Sequence, residues 1–308
     1  MSADSAADAW AIGTIAAEPM VQHWDGARWT QVPVQTPGAD VNHLNAVEAL
    51  SPSDVWVVGD YSDDGTVFST LVEHWDGTSF TVIPSPNPDS TSNGLYGIAG
   101  VSSDAVWAVG SQGRRYLVER WDGSTWSVQP APSRRGAFVD ISALAQDSLL
   151  TIGYRKLWRW DGQAWTTIAK TSEGYLEHMS SLSATASWVE GENDGPSSFA
   201  GLLDGEGLKH DTGTCSYSKF GDITALADDD VWLVGYCNHG IALPSHTYAS
   251  VDHWNGSSWR SVRNHVRGFL HGVDGTSSDD VWAVGDDFDG NALIEHWDGS
   301  AWSVSPTG

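Results

Sequence analysis

The chain has 308 residues, 40% of them hydrophobic, and its 15 basic and 40 acidic residues give a formal net charge of −25. This charge argues against nucleic acid and anionic membrane surfaces as partners, because both require a basic face on the protein. Two cysteines are too few for a disulfide scaffold, and no apolar run approaches the ~18 residues of a membrane-spanning helix.

The first ten residues, MSADSAADAW, contain neither the basic segment nor the apolar segment of a signal peptide. We therefore expect a cytoplasmic protein if Met1 is the native start, and a secreted one if a leader was removed. In either case we expect a monomer.

A unit of similar sequence recurs seven times and organises the chain. One of its strands carries a tryptophan that only the fourth unit replaces, at Trp10, Trp56, Trp107, Leu150, Trp188, Trp232 and Trp282. A glycine follows three residues later each time, from Gly13 to Gly285. A Trp-Asp-Gly turn or a close variant comes next. Five residues after the first residue of this turn, each unit carries a large apolar residue, at Trp29, Phe80, Trp126, Trp165, Leu208, Trp259 and Trp302. Recurrence at this spacing indicates a repeat architecture.

The sequence of each unit predicts four antiparallel strands. Segments such as VWAVG at 281–285 are β-branched and aromatic and end at a glycine, and Asp-Gly then predicts a tight hairpin. A further strand precedes each of these segments, as in LNAVEAL at 44–50. The units predict an all-β, single-domain, seven-bladed β-propeller with blades at about 1–33, 44–84, 95–130, 138–169, 176–210, 220–263 and 270–306. Because Met1 aligns with Val47, we expect the first blade to lack most of its inner strand.

This pattern resembles kelch-type propellers, in which strand A is innermost, strand B ends in glycine and outer strand D carries an aromatic residue. The chain departs from kelch in having Val-Gly where kelch has paired glycines, and Trp-Asp-Gly where kelch has Tyr-Asp. It is also similar to Trp-rich repeat proteins of actinobacteria. The resemblance covers the whole chain and implies a fold, but no activity.

The repeated aromatic and histidine residues are predicted to be structural. Seventeen of the 18 tryptophans occupy repeat positions, where they should pack between blades rather than form a platform for sugars. Four histidines stand before the turn tryptophan, and arginine replaces them in two other units. This exchange indicates a common hairpin contact rather than catalysis or metal binding, at His23, His74, His253 and His296.

The best candidates for chemistry lie near the start of the inner strands, at the predicted mouth of the central channel. Each inner strand has an apolar core residue, such as Val47 in the second unit. The position directly before it holds Ala46, Gly97, Asp140, His178, Asp222 and Gly272 in units 2 to 7. The position two residues before it holds Asn45, Tyr96, Val139, Glu177, Gly221 and His271. A histidine beside carboxylates suits proton transfer. We therefore predict catalytic roles for Asp140, Glu177, His178, Asp222 and His271, and ligand binding by Asn45 and Tyr96. The alternative is that these groups line a water-filled channel and bond one another.

Six of the 15 basic residues fall in loops of the same predicted face, at Arg114, Arg115, Arg134, Arg135, Arg155 and Lys156. Arginine recognises carboxylate and phosphate groups well, so Arg115 and Arg135 are predicted to hold an anionic part of a ligand. The alternative is simple pairing with the acidic loops nearby.

Two weaker signals concern calcium and a disulfide. Asp60, Ser62 and Asp64 have the spacing with which a calcium loop begins, although the distal glutamate is missing. Cys215 and Cys237 flank one hairpin and are candidates for a disulfide bond. No motif for an organic cofactor is present in the sequence.

The sequence leaves two functions open. The first is a polar pocket for a small molecule, with acid/base catalysis of a lyase, isomerase, cyclase or hydrolase type. The second is a non-enzymatic recognition propeller that binds a protein or glycan through loop aromatics, at Tyr61, Phe68, Tyr116, Tyr175, Tyr217, Tyr236, Tyr248 and Phe288.

Overall fold

The computed structural model describes residues 1–172, 174–194, 198–204, 207–211, 218–238, 247–262 and 266–306. Within these ranges the regular structure is entirely β-strand, and no helix there is long and apolar enough to cross a membrane. The strands form four-stranded antiparallel sheets in which chain order and spatial order coincide. The predicted all-β architecture of seven four-stranded blades is therefore confirmed.

The strands of the first four blades are bounded as follows. Blade 1 contains β1 (Ser2–Ser5), β2 (Asp8–Ile15), β3 (Glu18–Trp24) and β4 (Trp29–Val32). Blade 2 contains β5 (Val41–Ser51), β6 (Asp54–Ser62), β7 (Ser69–Trp75) and β8 (Phe80–Val82). Blade 3 contains β9 (Asn93–Ser102), β10 (Ala105–Gln112), β11 (Arg115–Trp121) and β12 (Trp126–Val128). Blade 4 contains β13 (Asp140–Ala145), β14 (Ser148–Gly153), β15 (Lys156–Trp160) and β16 (Trp165–Lys170).

The remaining three blades repeat the same order. Blade 5 contains β17 (Tyr175–Ser183), β18 (Ala186–Glu192), β19 (Ser198–Leu203) and β20 (Leu208–Asp211). Blade 6 contains β21 (Ser218–Ala227), β22 (Asp230–Asn238), β23 (Thr247–Trp254) and β24 (Trp259–Ser261). Blade 7 contains β25 (Phe269–Ser277), β26 (Asp280–Asp286), β27 (Ala292–Trp297) and β28 (Trp302–Val304).

The strands group into two compact units. The first comprises Met1–Tyr154 and Trp158–Thr166, and the second comprises Arg155–Leu157 and Thr167–Gly308. Blades 1–3 thus belong to the first unit and blades 5–7 to the second, and each unit is described by itself below.

Blade 1 does have an inner strand, so the expectation that most of this strand is missing is wrong. The strand β1 is short, with Ser2 opposite Trp10 and Ala3 opposite Ala9. The hydroxyl of Ser2 accepts a hydrogen bond from the Ala49 N–H at 3.0 Å, which ties blade 1 to the inner strand of blade 2. Four residues suffice because this bond and the pairing with β2 hold the strand at both edges.

Aromatic rings pack between neighbouring blades, as predicted. Trp56 in β6 is 1% exposed and contacts Trp121 and Trp126 of blade 3, with ring centroids 5.1 and 5.5 Å apart. Tilted and edge-on rings at such distances add to the stabilisation that comes from buried area. Equivalent contacts join Trp10 to Trp75 and Phe80, Trp188 to Trp254 and Trp259, and Trp232 to Trp297 and Trp302.

The histidines before the turn belong to a repeated structural motif, which we call the Asp–His–Trp triad. In blade 2, His74 Nε2 lies 2.8 Å from Asp54 Oδ1, and the imidazole packs on the Trp56 indole at 4.2 Å. Asp54 also accepts a hydrogen bond from the Trp56 indole N–H at 2.9 Å. The aspartate–histidine bond and the ring contact recur at Asp8, His23 and Trp10, at Asp230, His253 and Trp232, and at Asp280, His296 and Trp282. The structural role predicted for these histidines is confirmed.

The aspartate and the histidine of the triad are present or absent together. Blades 3, 4 and 5 carry Ala105, Ser148 and Ala186 at the aspartate position, and their histidine positions hold Arg120, Arg159 and Leu202. In blade 3 the Arg120 guanidinium lies 5.5 Å from the Trp107 ring centroid, so a cation–π contact takes the place of the imidazole.

A column of buried acids, absent from the sequence interpretation, runs through the third strands. Its members share one repeat position and are 0–2% exposed, at Glu73, Glu119, Asp252 and Glu295. Burial raises the pKa of Glu73 to about 7, although the Gln35 N–H donates to its Oε2 at 2.9 Å. Burial raises the pKa of Glu119 to about 8, and neither of its carboxyl oxygens has a hydrogen-bond partner in the described ranges. Pro86, before blade 3, occupies the repeat position that Gln35 occupies before blade 2. Because proline has no N–H, it cannot give Glu119 the hydrogen bond that Gln35 gives Glu73.

Candidate functional site

Asn45, Tyr96 and His271 occupy the same repeat position in the inner strands of blades 2, 3 and 7. Each contacts the residue that directly follows the repeated glycine of the second strand in its own blade. The Asn45 amide donates to Asp60 Oδ2 at 3.1 Å and also to the Leu95 carbonyl of the next blade at 2.9 Å. The Tyr96 hydroxyl lies 3.2 Å from the Ser111 hydroxyl. In blade 7, His271 Nε2 lies 2.6 Å from Asp286 Oδ1. Tyr96 and His271 are therefore held within their own blades, and Asn45 also links blade 2 to blade 3.

The two aspartates predicted to be catalytic bond backbone groups. Asp140 Oδ1 and Asp222 Oδ1 each accept a hydrogen bond from the next residue's N–H, at 2.8 Å in both cases. Asp222 Oδ2 also accepts from the Val273 N–H of blade 7 at 3.0 Å. Asp222 thus ties the inner strands of blades 6 and 7 together. This structural work accounts for a charged residue where other blades have glycine or alanine.

His178 pairs across the sheet with Glu190, a residue that the sequence interpretation missed. His178 Nδ1 lies 3.2 Å from Glu190 Oε1, and the two residues face each other in β17 and β18. Glu190 is fully buried, and its Oε2 has no hydrogen-bond partner among the described residues. Burial raises the pKa of Glu190 to about 8, and the nearby His178 opposes this rise. Burial therefore favours the protonated form of this carboxyl group.

Further ionisable groups surround this pair in the second unit. Glu177 is half-buried, and its pKa is raised by burial and by the charge of Glu192, while His178 and Lys219 act in the opposite direction. Glu192 forms an ion pair with Lys219. The charges of Glu177 and Asp222 also raise the pKa of Glu190. The structure thus brings three of the predicted residues, Glu177, His178 and Asp222, close to one buried acid.

A signal for Glu190 was present in the repeat alignment. The residue before the strand glycine is apolar in the six other blades, at Ile12, Val58, Val109, Ile152, Val234 and Val284. A glutamate in this column departs from the rule that buried positions are apolar. Glu190 lies in the second strand of its blade, outside the inner strands that carry the predicted catalytic residues.

The candidate calcium residues are engaged in separate hydrogen bonds. Asp60 Oδ1 lies 3.0 Å from His43 Nδ1, while Asp64 Oδ1 accepts from the N–H groups of Thr66 and Val67 at 2.9 and 3.1 Å. Ser62 donates to Asp64 at 3.3 Å. The described ranges contain no group of three or more His, Cys, Asp or Glu residues arranged to hold a metal ion. Calcium binding here stays a prediction.

The cysteine pair falls partly outside the described residues. Cys237 lies in β22 with its side chain buried. Cys215 is not among the described residues, so its bond to Cys237 stays a prediction.

The loop arginines divide into two groups. Arg114, Arg115, Arg134 and Arg135 are all exposed, and the backbones of Arg115 and Arg135 form an antiparallel bridge. Arg155 instead pairs with Asp194 at 2.7 Å and lies over the Tyr175 ring at 5.2 Å. For Arg155, the alternative of simple ion pairing describes what is observed.

The loop aromatics also divide. Tyr116 is buried, so its expected exposure on a loop is wrong, and Tyr217 lies outside the described residues. In the second unit, Tyr236, Phe269 and Phe288 form a contiguous aromatic cluster, with ring centroids 4.8 and 5.2 Å apart. Phe288 is 36% exposed, and exposed Arg267 lies 5.1 Å from its ring centroid.

Comparison with known proteins identifies the fold. No family model matches the chain, and no curated protein sequence matches it. Among solved structures, it is similar to YCF48 bound to D1 peptide, at 16% identity and a TM-score of 0.63 over 88% of this chain and 84% of the other. The β-propeller domain of the Trilobed protease from Pyrococcus furiosus matches at 10% identity and 0.63, over 98% and 95% of the two chains. The Neurospora crassa Pan2 WD40 domain matches at 8% identity and 0.64, over 100% and 88%.

The chain is a seven-bladed β-propeller. At these identities the likeness extends to the fold alone, and the kelch-type and actinobacterial resemblances stay predictions.

Proposed function

We propose that this propeller is a recognition module that binds a polypeptide segment through its loops. The observation that carries the proposal is the aromatic cluster of Tyr236, Phe269 and Phe288. Aromatic residues dominate the binding energy of protein interfaces, because they offer a large contact area at a small entropic cost. A structural neighbour bound to a peptide supports the same kind of ligand.

The surroundings of the aromatic cluster suit a peptide. Exposed Arg267 stands on one side, and the hydrogen-bonded pair of His271 and Asp286 stands on another, with the imidazole stacked at 6.4 Å from Phe269. An apolar centre with a polar edge is the usual anatomy of a protein-binding surface. Aromatic faces accept apolar side chains, and the edge groups bond a peptide backbone.

Replacing Phe288 by Ala should weaken peptide binding by about 10-fold or more, since interface aromatics typically contribute at least 1–2 kcal/mol. Peptides would first be selected on the wild-type protein from a random display library, and their affinities measured by fluorescence anisotropy. Val304→Ala is the matched control, because Val304 is an exposed apolar residue on outer strand β28. Failure to select any peptide, or equal affinity for wild type and Phe288→Ala, would contradict the proposal.

A second candidate function is binding of a small polar molecule beside His178 and Glu190, with acid/base chemistry. The supporting observation is the buried carboxyl oxygen of Glu190 that lacks a hydrogen-bond partner among the described residues, at a repeat position where the six other blades carry an apolar residue. This candidate ranks second because Asp140 and Asp222, two of the other predicted catalytic groups, bond backbone N–H groups.

Glu190→Val installs the residue that blades 2, 3, 6 and 7 carry at this position. We expect the free energy of unfolding at neutral pH to rise by about 1–2 kcal/mol, because residues tuned for a site commonly cost stability. A panel of amines, amino acids and sugars would be screened by thermal shift against both proteins. A compound that stabilises wild type but not the variant supports the small-molecule site. Equal shifts, or none in either protein, would eliminate it.

A further inference from the structure

Four exposed arginines from two separate loops lie side by side in the first unit. Arg114 lies in the turn between β10 and β11, Arg115 begins β11, and Arg134 and Arg135 belong to the connection that leads to β13. Besides the backbone bridge between Arg115 and Arg135, the Gly136 N–H donates to the Arg114 carbonyl at 3.0 Å. The two loops are therefore joined by their backbones. We call this group the arginine patch.

A packed aromatic base supports the arginine patch. Tyr116 follows Arg115, is 5% exposed, and packs on Phe138 with ring centroids 4.3 Å apart. The connection passes so close to the Tyr116 ring that a Cβ on Gly136 would lie 2.2 Å from Tyr116 Cζ. Only glycine permits this approach. The backbone that carries the arginines is therefore held in place by buried structure.

The arginine patch has little charge compensation within the described part of the chain. Among the described residues, none of its four guanidinium groups lies within 4.0 Å of a carboxylate. Arg115 lowers the pKa of Asp89 slightly, but bonds from Thr91 and Ser92 contribute more to that shift. Four neighbouring like charges repel one another, so a bound carboxylate would relieve this repulsion.

Tyr154 adds an exposed aromatic ring beside the connection that carries Arg134 and Arg135. It is 61% exposed, and its φ of 56° lies in the left-handed region, which is rare for a bulky residue. It directly follows Gly153, where a Cβ would lie 2.5 Å from the Ala137 carbonyl oxygen. A strained and exposed aromatic residue of this kind commonly belongs to a functional surface.

We infer that the arginine patch, with Tyr154 at its edge, docks an acidic segment of a partner polypeptide. The inference rests on the proposed recognition function and adds the chemical class of the segment. Guanidinium groups bind carboxylates with paired, charge-assisted hydrogen bonds, and Tyr154 offers an apolar contact at the edge of the patch. Nucleic acid is a poorer ligand, because the net charge of −25 repels a long polyanion that extends beyond four arginines.

The test uses the full chain and a fluorescein-labelled peptide of alternating glutamate and glycine, with anisotropy measured at low and at physiological salt. Replacing Arg115 and Arg135 by Gln should weaken binding by about 10–100-fold, as expected from the loss of two charge-assisted bonds. The variant Arg115→Lys/Arg135→Lys should recover part of this loss, because it restores charge without the planar fork. Tyr154→Gly, which fits the left-handed backbone, should weaken binding several-fold and leave the thermal melt unchanged or raised.

The control variant is Arg28→Gln/Arg260→Gln, which removes the same charge from two exposed arginines outside the patch. Its affinity for the peptide should stay within about twofold of wild type at physiological salt, where long-range electrostatics are screened. An equal loss in the control would show general electrostatics and overturn the inference. Absence of glutamate-peptide binding to the wild type, or tighter binding of a single-stranded oligonucleotide, would overturn it as well.

The outcome is separable from that of the proposed function. Display-selected peptides that depend on Phe288 but bind the arginine variants normally would support recognition and reject this inference. Loss of the glutamate peptide in the arginine variants, together with display-selected peptides that bind Phe288→Ala and wild type equally well, would support the arginine patch and reject the aromatic cluster.

Discussion

Trp56→Ala should lower the free energy of unfolding by about 3–5 kcal/mol, the usual range for removing a buried large aromatic side chain. The indole is 1% exposed and makes three ring contacts, to His74 within its blade and to Trp121 and Trp126 of the next. Its N–H also donates a hydrogen bond to Asp54, and the alanine variant would lose this bond of the Asp–His–Trp triad. Truncation therefore removes packing between two blades and weakens a hydrogen-bonded group at once.

Urea denaturation monitored by circular dichroism measures this loss. The control is Trp126→Phe, since blade 2 has Phe80 at the position that Trp126 occupies in blade 3. This substitution should cost less than about 1.5 kcal/mol, because the ring contact is kept. A loss below about 1 kcal/mol for Trp56→Ala would mean that the inter-blade rings fill space without stabilising the fold.

Glu119→Gln should raise the free energy of unfolding at pH 7 by on the order of 2 kcal/mol. Burial raises the pKa of Glu119 from 4.5 to about 8, so the folded protein retains a proton that the unfolded chain has released. Below pH 4.5 the carboxyl group is protonated in both the folded and the unfolded protein, so its ionisation does not lower the free energy of unfolding. The free energy of unfolding then falls as the pH rises from 4.5 to about 8. Glutamine cannot ionise, and the chain already carries Gln22 at the equivalent position of blade 1.

The measurement is the free energy of unfolding as a function of pH across this window. The variant should show a shallower decline than wild type, and some decline should remain because burial also raises the pKa of Glu73, to about 7. Glu18→Gln, at an exposed site in the same unit, serves as the control and should leave the profile unchanged. Parallel profiles for wild type and Glu119→Gln would refute the buried, protonated state of this glutamate.

The fold was predictable because each repeat carries the same hydrophobic columns. The alignment of Met1 with Val47 implies that Ser2 matches Glu48, and both side chains accept a hydrogen bond from the next blade's inner strand. The inner strand of blade 1 was underestimated because a four-residue strand offers too few positions for a pattern. Its stability comes from neighbours that are distant in sequence.

The candidate site was only partly predictable. The alignment of the repeats placed Glu177, His178 and Asp222 at the same end of neighbouring inner strands. It could not show that Asp222 accepts a hydrogen bond from the Val273 N–H. That bond depends on how two inner strands approach each other, which no local pattern encodes. Glu119 and Glu73 were overlooked because a recurring glutamate in an alternating strand is normally taken to face water. Their burial depends on the strand of the adjoining blade.

The joint presence or absence of Asp and His in the triads constrains how the repeats diverge. Removing Asp54 alone would strip both Trp56 and His74 of their acceptor, and removing His74 alone would leave a half-buried carboxylate with only the indole N–H. Each single change therefore leaves a polar group without its partner, and we expect the two residues to be coupled in a double-mutant cycle. Blades 3, 4 and 5 lack both residues, and these repeats carry the residues of the arginine patch and the pair of His178 and Glu190. Blades 1, 2, 6 and 7 carry both residues, so within this chain the triad occurs as a complete unit or not at all.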